Sequence, residues 1–195
     1  MNVFADIRQL PTSNRSIRLE NRSALLRRWR FTQSGQLLDP SREQYLFPEQ
    51  RDLLRMLEVM SEAEVVQLAD CGTPLFQIQL RLTDFSLEAC AKRSTTDLLE
   101  EKSRQESFLA LAARLDSVRT SFQQACLLFN LSHNEAAWIS RFCPQELHLL
   151  ARDPAMVLVP AVNPAYFIAS ATRKLTSVER TVLGSVARGR AAAMH

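Results

Sequence analysis

Residues 61–85, SEAEVVQLADCGTPLFQIQLRLTDF, and residues 143–167, CPQELHLLARDPAMVLVPAVNPAYF, align without a gap at an offset of 82. Glu64 meets Glu146, Leu68-Ala69 meets Leu150-Ala151, and Phe85 meets Phe167. Val65/Leu147, Leu75/Val157, Phe76/Leu158 and Leu80/Val162 are apolar in both copies. An amphipathic segment precedes each stretch, at 47–59 in the first copy and 131–142 in the second. A repeated unit that buries one apolar face is completed by packing on its twin, so a pseudo-symmetric body is expected. Two unrelated helical hairpins with similar patterning are the competing explanation.

Working outward, local signals place the elements. Ser61 with Glu64 and Ser132 with Glu135 each make a capping box before an apolar run. Pro144 suits the first turn of a helix, and Pro48 is expected to do the same in the first copy. Residues 75–82 alternate, with Phe76, Ile78, Leu80 and Leu82 on one side, which predicts a half-buried strand. Residues 156–162 are the second strand candidate, moved to an edge by Pro160. A basic helix is expected over 15–31, a short one from Pro40 toward Leu46, one over 84–92 capped by Asp84 or Ser86, and a long one over 97–115. Residues 118–130 continue helical, and 166–188 is mostly helical with a restart at Thr176 or Ser177. The predicted fold is mainly α. Its predicted division is an irregular segment at 1–16, a first helical unit at 17–92, a second at 97–188 and a loose tail at 189–195.

Composition limits the function classes. The apolar fraction of 46% is that of a globular protein, and 4 glycines with 7% aromatics argue against a sandwich or barrel. No apolar run reaches the roughly 18 residues of a membrane span, and residues 1–10 lack the pattern of a secretory leader. Cys71, Cys90, Cys126 and Cys143 form no close pair, so a cytoplasmic protein without a disulfide framework is expected. His133, His148 and His195 show no metal-ligand spacing with cysteine, and no glycine-rich phosphate loop is present. No metal, cofactor or catalytic constellation is expected, and Ser132 beside His133 reads as a helix cap next to an exposed ring.

The charge is segregated. Residues 1–30 carry +5 and residues 165–195 carry +4, whereas 31–164 holds 12 basic and 18 acidic residues. Basic ends suit phosphate contact, since each neutralised phosphate releases counterions. The candidate DNA contacts are Arg18, Arg22, Arg27, Arg28 and Arg30 at one end, and Arg173, Lys174, Arg180, Arg188 and Arg190 at the other. Arginine outnumbers lysine 21 to 3, so coding bias is an alternative source of the charge. Residues 128–152 also have helix–turn–helix spacing, but the front formed by His133, Asn134 and Trp138 has little positive charge. Simple helix packing is therefore preferred there over base reading.

The run from Phe108 to Leu115 (FLALAARL), that from Ala125 to Ser132 (ACLLFNLS), Glu135-Ala136, Pro144-Gln-Glu-Leu147 and Leu150-Ala151 together resemble the flagellar transcriptional regulator FlhD. The match covers about 108–170, and more weakly a first copy at 24–90. The resemblance implies a mainly helical regulator that forms intertwined dimers, joins an FlhC partner, binds promoter DNA and recruits RNA polymerase. Related activator pairs occur on conjugative elements. This chain is longer than the family pattern and doubled in appearance, so the expectation is two FlhD-like units in tandem, each with one short strand, packed as a pseudo-dimer. The expected function is a transcriptional activator subunit acting as a hetero-oligomer with an FlhC-like protein. The alternative is a protein–protein interaction module, an adaptor or anti-activator without DNA contact.

Overall fold

The computed structural model describes the backbone of residues 12–35, 39–80 and 86–192. Among these residues there are eleven helices and one two-stranded sheet, so the protein is mainly α. The helices are α1 (Thr12–Gln33), α2 (Pro40–Leu46), α3 (Arg51–Glu58), α4 (Glu62–Leu68), α5 (Leu87–Ala91), α6 (Leu98–Thr120), α7 (Phe122–Phe129), α8 (His133–Ser140), α9 (Pro144–Leu150), α10 (Pro164–Thr172) and α11 (Ser177–Ala192). The strands β1 (Phe76–Ile78) and β2 (Leu158–Pro160) pair with each other.

Most helix starts follow from their caps. Ser61 and Glu64 make both bonds of a capping box at α4, and Ser132 and Glu135 do so at α8. Asp39 caps α2 ahead of Pro40, Ser86 caps α5 and Asp97 caps α6. Asp84 lies outside the described residues.

Several boundaries differ from expectation. The helix α1 begins at Thr12, inside the segment read as irregular, while residues 1–11 lie outside the described structure. Pro48 does not open a helix, because Glu49 takes a left-handed φ of 60° and delays α3 to Arg51. Strand β1 is shorter than its alternating pattern: Gln79 and Leu80 follow it unpaired, and Leu82 is not among the described residues. The helix α6 continues to Thr120 and takes in Val118, stopping where Ser121 adopts an extended backbone. At the other end α11 runs to Ala192, into the expected tail, and residues 193–195 lie outside the described ones.

The chain forms two compact units that interleave its two halves. The first is built from 1–37, 50–76 and 160–195, the second from 38–49 and 77–159. In the first unit α1 packs on α3 and α4, and α10 packs on α3, α4 and α11. Leu25, Leu57, Val65 and Leu68 are buried at the centre, each worth about 2 kcal/mol of apolar transfer. In the second unit α6 packs on α7, α8 and α9, with α2 against α6 and α5 against α9. Val118, Ala125, Phe129 and Ala136 form a cluster there, flanked by Phe122, Cys126, Leu128 and Leu131.

Two registers relate the first half of the chain to the second. The pairs α3/α8, α4/α9 and β1/β2 are 82 residues apart at both bounds, and α2/α7 at their starts. The helices α1 and α6 start 86 apart, and in that register Ala24-Leu25 matches Ala110-Leu111 and Arg28 matches Arg114. Both arginines are buried, and both donate from Nη1 to the carbonyl four residues back, Ala24 and Ala110, at 2.8 Å. Both also stack on a phenylalanine, Arg28 at 4.2 Å from the Phe76 ring centre and Arg114 at 4.6 Å from that of Phe129.

Candidate nucleic-acid interface

The described parts of both basic ends belong to the first unit. Among the described residues that unit contains 13 basic and 7 acidic residues, a charge of +6, against 9 and 12, or −3, for the second. The positive field is thus gathered on one body by the fold, although its sources are far apart in sequence.

Asp70 joins the two ends. Helix α4 ends just before it, and its carboxylate receives the Arg18 guanidinium from α1 and the Arg180 guanidinium from α11, the latter at 3.4 Å. Ser177 donates its hydroxyl to the same carboxylate at 3.3 Å and accepts from Arg18. Arg180 is further fixed by bonds to the carbonyls of Asp70 at 3.1 Å and Leu175 at 2.6 Å. Burial pushes the Arg18 pKa down, and the neighbouring Arg180 charge adds to that shift. Alongside, Tyr166 is packed so deeply that burial raises its phenol, with the Cys71 thiol adding to the effect. The α1 residue Asn21 bonds the carbonyls of Cys71 and Thr73 and accepts from the Leu75 amide, which fixes the segment after Asp70.

These contacts sort the ten candidate cations. Arg28 is fully buried, its Nε donating to Gln50 Oε1, and Arg180 is buried on Asp70. Arg18 is largely enclosed in its ion pair. Arg22, Arg27 and Arg188 are half-buried. The cations on the exposed surface are Arg30 at the end of α1, and Arg173 and Lys174 in the turn between α10 and α11. The Arg190 side chain lies outside those described. Arg15, exposed near the start of α1, is a further surface cation missing from the sequence-based set. No local signal separates it from its neighbours. Depth along a basic helix depends on what packs against it, and the partners of Arg18 and Arg28 lie at positions 50, 70, 76 and 177.

In the second unit the helix–turn–helix spacing is present as α7, α8 and α9. Asn130 ends α7 in a left-handed conformation, and His133 lies 4.8 Å from the Phe122 ring. Arg119 reaches across from α6 to the Phe142 carbonyl at 2.9 Å, tying the three helices to the long one. Among the described residues no three His, Cys, Asp or Glu side chains gather as metal ligands, and no helix is long and apolar enough to cross a membrane. Comparison with protein-family models, with curated proteins and with solved structures finds no match for this chain.

Proposed function

We propose that this protein is a cytoplasmic, non-catalytic transcriptional activator subunit built as two FlhD-like units in tandem, which binds promoter DNA together with an FlhC-like partner. Three features support a doubled unit. Helices and strands recur at one spacing, a buried arginine recurs in each long helix, and the closing helices are exchanged. In the last respect α10, from the second half, sits on α3 and α4, while α5, from the first half, sits on α9. Such an exchange is the expected outcome when an intertwined dimer is joined into one chain. The FlhD resemblance supplies the regulatory role, the partner and the link to RNA polymerase.

The observation that carries DNA contact is the convergence of both basic ends on one unit of charge +6. Arg15, Arg30, Arg173 and Lys174 are the exposed cations offered to phosphates, whereas Arg22, Arg27 and Arg188 are half-buried. The test is the salt dependence of promoter binding by the full chain, with and without an FlhC-like partner. Arg30→Ala/Arg173→Ala/Lys174→Ala should lower the slope of log K against log salt by about 3, since each neutralised phosphate contributes about 0.9. An unchanged slope and affinity would remove these residues from the interface.

The interaction-module alternative is favoured by a different observation. Val178, Val182 and Val186 stand exposed at successive turns of α11, a pattern that suits protein contact better than phosphate contact. Partner binding that survives while DNA binding is absent at low salt would select that alternative.

A further inference from the structure

The ion pair that anchors the first unit has a counterpart in the second with its acid missing. Leu68-Ala69 and Leu150-Ala151 fix the register after α4 and α9, so the residue standing where Asp70 stands is Arg152. The buried Arg28 and Arg114 fix the register of the long helices, and there Arg104 stands where Arg18 stands. Where one unit has an Arg–Asp pair, the other therefore has two arginines at the matching positions, and both line one cleft. This comparison rests on the doubled-unit reading; the cleft it points to stands on its own groups.

That cleft, about 230 Å³, is lined by Arg93, Arg104, Arg152, Phe108 and His148, with Glu101 as its one lining acid. Arg104 is 13% exposed and is held by Glu100 through Nη2 at 2.7 Å, while its Nε is buried and makes no hydrogen bond. Glu100 also accepts from Thr95 at 2.8 Å, so its carboxylate is divided between two donors. Arg152 donates to the Ala91 carbonyl at a long 3.4 Å. Arg93 is exposed at the rim. The His148 ring lies 5.5 Å from that of Phe108, tilted by 58°, and forms an aromatic wall beside the guanidinium groups.

Three guanidinium groups at one cleft against two carboxylates, Glu100 and Glu101, leave an excess of positive charge, which is matched by a doubly charged oxyanion that arginine binds through paired N–H donors. The adjoining aromatic edge favours a planar ring on the same ligand. We propose that this cleft binds an organic phosphate of the nucleoside monophosphate class, its phosphate among Arg93, Arg104 and Arg152 and its base against Phe108 and His148. The cavity is smaller than a typical drug-sized site, so the phosphate and sugar enter it and the base lies at the mouth.

The test is calorimetric titration of the full chain, without DNA, with AMP, GMP, CMP, UMP, adenosine and inorganic phosphate. At least one mononucleotide should bind with Kd of about 0.1 mM, and adenosine and phosphate should each bind at least about tenfold more weakly. Arg152→Asp places in this unit the carboxylate that the first unit already has. It should weaken the mononucleotide at least about tenfold while leaving the melting temperature equal or higher, and Arg93→Ala should weaken binding without touching the interior. Failure of every mononucleotide to saturate below about 5 mM, or binding by Arg93→Ala and any folded Arg152→Asp within about twofold of the parent, overturns the site. Adenosine binding as tightly as AMP also overturns it. Because no DNA is present, failure here is distinguishable from failure of the promoter-binding reading.

Discussion

Asp70→Asn keeps shape and removes one charge, and its cost follows from what surrounds the carboxylate. The Arg18 and Arg180 side chains are 11% and 6% exposed, and both direct a guanidinium at it. Removing one partner of a fully buried pair costs about 3–5 kcal/mol, because the remaining charge is left in a poor dielectric. Asp70 itself is 38% exposed, so water screens part of the interaction and the lower figure of about 2–3 kcal/mol applies. The main-chain bonds of Arg180 to Asp70 and Leu175 survive, so both cations stay in place and repel each other. For a chain of this length about 2–4 °C is lost per kcal/mol, which gives a fall in Tm of about 5–10 °C by circular dichroism. Arg18→Met in the Asp70→Asn background should recover about 1 kcal/mol or more, since it removes the repulsion and keeps the aliphatic packing. An Asp70→Asn protein melting within about 1 °C of the parent, or full additivity of the two changes, would refute the ion-pair account.

Arg28→Ala and Arg114→Ala should each cost about 3–4 kcal/mol in chemical denaturation, from lost methylene packing and lost stacking on Phe76 or Phe129. Arg28→Met should cost roughly half as much, because the volume is kept and the main penalty is the lost Arg28–Gln50 bond. Acid should loosen three helix starts together. Glu64, Glu146 and Glu179 are held below the usual 4.5 by hydrogen bonds to Ser61, Cys143 and Thr176. A depressed folded value means the stabilisation is complete above pH 4.5 and fades as pH falls through the lower folded values. Thermal melts from pH 6 downward should therefore show a loss in this window that is reduced in Glu64→Gln/Glu146→Gln/Glu179→Gln, and identical profiles would show that the caps contribute nothing to it.

What could be read from the sequence was what four or five neighbouring residues decide. Ser61 with Glu64 and Ser132 with Glu135 each contain donor and acceptor within one turn, Pro40 suits a first turn because it has no N–H to satisfy, and the helices start there. The alternation at 75–82 located β1 but overstated it, because period two reports which face a residue occupies and not whether a neighbouring strand reaches that far. The Arg28 side chain was unreadable for a related reason. Its side-chain partner Gln50 is 22 residues away and its ring partner is on β1, so nothing in the basic helix marks it as interior. The same holds for Asp70, whose two cations come from opposite ends of the chain. The interleaving of the units was hidden too, since apolar periodicity shows that α10 and α5 must be covered and is silent on which half covers them.

The exchanged helices bear on how the protein is made. A ribosome releases α1, α3 and α4 early, yet the segment that finishes their unit begins only at residue 160. Until then α3 and α4 have α1 against them but lack the cover of α10, and α2 and α5 likewise await α6 and α9. Neither body can close from the first half of the chain alone: the second has all its segments by residue 159, and the first waits for the segment that begins at 160. A stop codon before α10 should therefore leave the first unit open, in a species that chaperones hold or proteases clear even where the second unit has formed.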